Sequence, residues 1–145
     1  MKEGQKIKRI RLDVGPENDS HLLGIVSAEP DYKLSLILNS KFSISLRNTT
    51  PVTITEDDNE LTFSRFSDTS GSPDLIFDLV SNRTGKYFLL KKLKNIDFVF
   101  VVFDPERSAD IDRIISVLRE TDCITAVFNF DANTIKDKNL HYLTR

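Results

Sequence analysis

The chain has 145 residues, enough for one domain to bury a core without metals or disulfides to staple it. With 20 basic and 22 acidic side chains the formal charge is −2, so composition demands no polyanionic partner, and hydrophobic and charged shares of 39% and 29% exclude a disordered or collagen-like chain. The single cysteine, Cys123, excludes an internal disulfide and suits a reducing cytoplasm.

The opening "MKEGQKIKRIRLDV" is basic but has no apolar core behind its charges, so no secretory signal is expected, and no apolar run is long enough to span a bilayer. Ile10, Leu12 and Val14 alternate with Arg9, Arg11 and Asp13, the period of a half-buried strand, closed by Gly15-Pro16. In "LLGIVSAEPDYKLSLILNSKF", Tyr32, Leu34, Leu36, Ile37 and Leu38 fall at helical spacings behind Pro30-Asp31, which predicts a mostly buried helix.

Short β-type runs follow at 43–46, 52–55 and 60–66, the last two joined by the acidic turn "EDDN". "FSDTSGSPD" at 66–74 reads as a loop, "LIFDLV" at 75–80 as a strand and "SNRTGK" as a turn. "IDFVFVVF" at 96–103 is apolar on both faces after Asp97, which fits a central strand covered on both sides or one buried on one face and packed by a partner on the other.

Ser108 is placed to cap a helix over 109–119. Asp110 and Asp112 lie in its positive first turn, and Ile111, Ile114, Ile115 and Leu118 form one apolar stripe. A last strand at 124–130 carries Ile124, Ala126, Phe128 and Phe130 on one face, reached by a β-α-β crossover that leaves room for an intervening strand. The tail 131–145 fits a short helix or an extended segment. The order predicts one α+β domain over residues 1–145: a mostly antiparallel sheet with two main helices on one face, a ferredoxin-like sandwich with an inserted hairpin.

Chemistry-bearing motifs are sparse. His21 and His141 are far apart in sequence, Cys123 reads as a small apolar side chain, and no zinc-type spacing, phosphate-cradling glycine loop or nucleophile elbow is present. No metal, no cofactor and no enzymatic activity are expected. Glu56, Asp57, Asp58 and Glu60 read as a solvated hairpin tip, whereas Asp104 places a carboxylate at the carboxyl edge of a sheet, where α/β ligand sites lie.

The candidate interaction surface is Arg9, Arg11, Lys91, Lys92, Lys94 and Asp97. The lysines precede Asp97 in what reads as a solvated connection, and Asp97 stands at the mouth of an apolar strand, where its carboxylate must reach water or a backbone N–H. "IDFVFVVF" also matches the RNA-recognition signature at Phe98, Phe100, Val101 and Phe103, with Ile96, Asp97 and Val99 departing from it. Alternation sets Phe98 and Phe100 on one face and Phe103 on the other.

"LLGIVSAEPDYKLSLILN" resembles the opening of the bacterial IPExxxVDY family. The segment that names the family is similar to Leu90–Phe98, with Leu90 for its Ile and Ile96-Asp97-Phe98 for Val-Asp-Tyr, while Lys91 and Lys92 stand where the family has Pro-Glu. The resemblance implies a small cytoplasmic protein of no assigned activity, with a link to RNA metabolism through the gene for the double-strand-specific ribonuclease nearby. Two functions follow as expectations: a non-catalytic cytoplasmic module that binds another protein, or an RNA-binding accessory protein in which the basic residues hold phosphates.

Overall fold

The computed structural model of the protein describes residues 19–70 and 75–144. The strand expected around residues 10–14, with Arg9 and Arg11, lies outside them. The chain forms β1 (Ser20–Ser27), α1 (Asp31–Phe42), β2 (Leu46–Glu56), β3 (Asn59–Asp68), β4 (Ile76–Ser81), a ribbon of β5 (Arg83–Thr84) and β6 (Tyr87–Phe88), β7 (Phe98–Phe103), α2 (Ile111–Arg119) and β8 (Ile124–Phe130). Six strands make one sheet in the order β2-β3-β4-β7-β1-β8, every neighbouring pair antiparallel. The class is therefore α+β, as the element pattern implies. The sheet has six strands, and the ferredoxin-like sandwich with an inserted hairpin stays an expectation beside this order.

β1 is the element that sequence patterning misses, because "LLGIVS" runs without a break into the approach to the first helix. It lies between β7 and β8, so the crossover through α2 does carry an intervening strand. Both faces of β1 are covered: Leu23 and Ile25 face the helices and Leu22 faces the opposite core, which is why the run is continuous rather than alternating. Gly24 admits no side chain, since a Cβ there would lie 2.6 Å from Cε2 of Phe130 and 2.9 Å from Cδ1 of Ile96. The expected run at 43–46 is not a strand of its own: Ser43 caps α1 in the left-handed region and only Leu46 is β, opening the same strand β2 that holds 52–55, with an irregularity between Thr49 and Val52. The acidic hairpin between β2 and β3 turns on Asp57 and Asp58, both at positive φ (52° and 63°), as a two-residue primed turn requires.

Both helices lie on one face. Leu34 and Leu38 of α1 and Ile114, Ile115 and Leu118 of α2 pack on Phe66, Phe77, Leu79, Phe98, Phe100 and Val102, with the rings of Phe77 and Phe100 stacked at 5.3 Å. Two details of the sequence reading need correcting. The α2 cap is Asp110, whose side chain accepts from the Arg113 N–H, because the chain through Ser108 is already tied into the preceding turn. In β8 a register shift against Val26 and Ser27 breaks the alternation, so Ile124 and Val127 face the helices while Phe130 packs on the opposite core and Phe128 is 40% exposed.

Among the described residues no α-helix covers the opposite face. Leu89, Leu90, Leu93 and Ile96 cover it, joined by Ala132, Ile135, Leu140 and Leu143 from a tail that holds two 3₁₀ turns, Ala132–Thr134 and Leu140–Tyr142. The lysine-rich connection is thus solvated at its lysines and Asn95, while Leu89 and Leu90 are fully buried and Leu93 partly so.

Ile115→Ala should destabilise the protein by about 2–5 kcal/mol, since it removes a buried branched side chain between α2 and the sheet. A denaturant melt reads this directly, and a change near zero would mean that α2 is docked by another face.

Candidate functional site

The sequence places its candidate site on Lys91, Lys92, Lys94 and Asp97, in the connection between β6 and β7. That connection has few backbone partners of its own, so side chains supply them. Asn82, fully buried, is the main one. Its amide nitrogen donates to the carbonyls of Leu93 (2.9 Å) and Ile96 (3.0 Å), its amide oxygen accepts from the Leu90 N–H (2.8 Å), and its backbone pairs with Asp97 and Leu89. From the tail, Asn139 donates to the Leu89 carbonyl (2.8 Å) and Asp137 accepts from the Lys91 N–H (2.9 Å).

Asp97 closes the same connection. Its Oδ2 accepts from the Ser27 N–H at 3.0 Å and its Oδ1 pairs with the Arg83 guanidinium, so the carboxylate joins the end of β1 to the β5–β6 ribbon. The expected reach to a backbone N–H is met, and both oxygens are engaged.

Among the described lysines of the expected strip, Lys91 is already paired. Lys91 Nζ lies 2.5 Å from Glu56 Oε1, beside Asp57 and Asp137, in a rim of mixed charge. The hydrogen bond to Glu56, reinforced by these nearby carboxylates, holds the Lys91 ammonium above the ordinary lysine pKa. Lys92 and Lys94 are exposed, and Arg9 and Arg11 lie outside the described residues. The aromatic residues of the RNA-type signature are not on an open surface: Phe98 and Phe100 are buried beneath the helices, and only Phe103 is partly accessible.

Asp104, expected at a ligand-binding edge, is 1% exposed and holds a turn. Oδ1 accepts from the Ser108 N–H and Oδ2 from the Ala109 N–H, each at 3.0 Å. Cys123 packs half-buried against the helix-side core. His141 is exposed at the tail, its ring tilted against that of Tyr142 at 4.1 Å, and no group of three His, Cys, Asp or Glu side chains gathers among the described residues. A cleft of about 490 Å³ between the tail and the sheet is lined by Arg65, Ser67, Asp78, His141 and Tyr142. It is polar, unlike the largely apolar pockets that enclose most small ligands.

The surface feature that sequence reasoning missed is on α1. Tyr32 and Leu36, expected in a mostly buried helix, are 59% and 63% exposed, one turn apart on the side away from the sheet. The signal was present: five apolar residues within seven positions are more than one face of a 12-residue helix can bury. No helix among the described residues is long and apolar enough to cross a membrane. No protein-family model matches the chain, and no curated protein matches it either.

Asn82→Ala should cost about 2 kcal/mol or more, because it removes the Asn82 partner of the buried Ile96 carbonyl and Leu90 N–H, while the Leu93 carbonyl keeps the Ile96 N–H, whereas the exposed Asn95→Ala should be near neutral. Hydrogen exchange at the Leu90 amide reports the same loss locally. For Lys91, whose pKa is raised on folding, the contribution to stability is complete below the unfolded-state pKa and disappears as pH rises through the folded-state value. Glu56→Gln should therefore lower the Lys91 pKa in an NMR titration and weaken that alkaline dependence, leaving the part due to Asp57 and Asp137; an unchanged titration would mean that the pair does not form in solution.

Proposed function

We propose that the protein is a non-catalytic interaction module of the cytoplasm that binds another protein through the solvent face of α1, and that its kinship lies with the IPExxxVDY proteins. The observation that carries the reading is the exposed Tyr32–Leu36 pair. Two large apolar side chains one turn apart on a short helix are costly to leave in water, and they match the anchors that helix faces present to partners. The lone cysteine is the support for the compartment.

Support also comes from what the other polar groups are already engaged in. Asp97, Asp104 and Asn82 each satisfy backbone groups, a structural task rather than acid–base chemistry. Burial of Phe98 and Phe100 leaves no stacking platform at these rings for unpaired bases.

A photo-crosslinking residue at position 36 should give a protein adduct in native lysate, and one at the exposed position 112 on α2 should not. In filter-binding titrations, single-stranded and duplex RNA should bind weakly, without sequence preference, and be released as salt rises. Submicromolar, salt-resistant RNA binding with no adduct at position 36 would replace this reading by the RNA one.

A further inference from the structure

Among the described strands β2 and β8 are the edges of the sheet. At β2 the chain itself breaks the edge: Pro51 has no N–H to offer, and the register is interrupted between Thr49 and Val52. β8 contains no proline, and the register shows which of its backbone groups face outward. The Ile25 carbonyl turns toward β7, where it accepts from the Asp97 N–H at 2.9 Å, so in the Ile25–Val127 pair the two residues point their backbone groups away from each other. Val127 and, two residues on, Asn129 therefore direct N–H and C=O out of the sheet. Phe128 between them is 40% exposed, its ring stacked on Phe130 at 6.2 Å. Outward backbone groups beside an exposed aromatic residue are a template for a further strand.

We propose that Arg119 guards this edge: held at the Val127 carbonyl, its guanidinium keeps β8 from pairing with β8 of a second copy. Arg119 is the last residue of α2, the helix that packs over β8, and its Nη2 donates to the Val127 carbonyl at 3.1 Å. An approaching strand has to take that carbonyl from a charged donor, whose hydrogen bond is stronger than the one a neutral backbone N–H brings. Two β8 strands paired antiparallel about a two-fold would also carry both guanidinium groups into one seam, so like charge opposes this partner in particular. The other edge has the same device, since Arg65 Nε donates to the Thr50 carbonyl at 3.0 Å. There it adds to a proline. At β8 it stands without one.

The test uses the full chain, with sedimentation velocity for mass and amide exchange for place. In wild-type protein the Val127 and Asn129 amides should exchange at rates independent of concentration. In Arg119→Ala, a change at an exposed site, the mass should rise from 16.6 kDa toward twice that value with concentration, and these two amides should gain protection as it does. Arg119→Gln, which keeps the length of a helix-forming side chain and loses the charge, should do the same, and it carries the test if the alanine variant lacks a native circular dichroism spectrum. Adding Asn129→Pro removes one outward N–H and no bond to β1, so it should return either variant to 16.6 kDa. A folded Arg119 variant that stays at 16.6 kDa at every concentration overturns the guard. So does association that survives Asn129→Pro, or wild-type β8 amides that are already protected as concentration rises. The readout is confined to β8, so the outcome is independent of whether α1 binds a partner.

Discussion

A single buried amide sets the conditions for half of this fold. Asn82 has no contact with solvent, and its side chain supplies hydrogen bonds to three backbone groups of the connection that covers the second face of the sheet. The first face is covered by helices, whose backbones satisfy themselves. The second is covered by irregular chain, which does not, and each buried N–H or carbonyl left alone there would cost about 1–3 kcal/mol. Asn82, Asn139, Asp137 and Asp97 act together in place of the missing secondary structure. With those bonds made, Leu89, Leu90 and Ile96 can stay fully buried against Leu22, Val99 and Val101.

That arrangement also decides which residues are available for function. The polar groups nearest the sheet are engaged in holding the chain: Asp97 spans β1 and the ribbon, and Asp104 holds the turn that leads into α2. Lys91, the centre of the expected basic strip, is matched by Glu56. A residue whose charge suggests binding when read in sequence is, in three dimensions, one half of a local pair. The two most exposed large apolar side chains among the described residues are instead on α1.

The parts of the fold that were legible in the sequence are those in which local pattern and tertiary burial agree. The β7 run, the α2 stripe and the Asp57-Asp58 hairpin each carry a periodic or turn signal that the structure uses as written. β1 was lost because a strand buried on both faces has no alternation, and its "LLGIVS" run merges with the apolar residues of α1. Pro30 was the usable boundary, since the residue before a proline is held extended and a helix has to begin after it. The bulge in β8 had no signal at all: it is set by pairing with Val26 and Ser27, a hundred residues away in sequence. The same holds for Asn82, which reads as one more turn residue until the loop it holds is folded over it.

The two helices provide an internal comparison for α1. Both pack on the same sheet face, so the fold asks the same of each: an apolar stripe toward Phe77 and Phe100 and a polar face toward water. α2 complies, exposing Asp112, Arg113, Ser116 and Arg119. α1 buries Leu34 and Leu38 as required, yet carries Tyr32 and Leu36 outward. These side chains lie away from the core, so packing does not explain them, and a Glu or Lys at position 36 would serve the helix equally well and solubility better. α1 also has a weaker local start than α2, because Pro30 offers no side-chain cap where Asp110 does. A helix with a poor cap and an apolar outer face gains order when that face is covered. On the proposed reading, contact at Tyr32 and Leu36 therefore stabilises the helix that presents them.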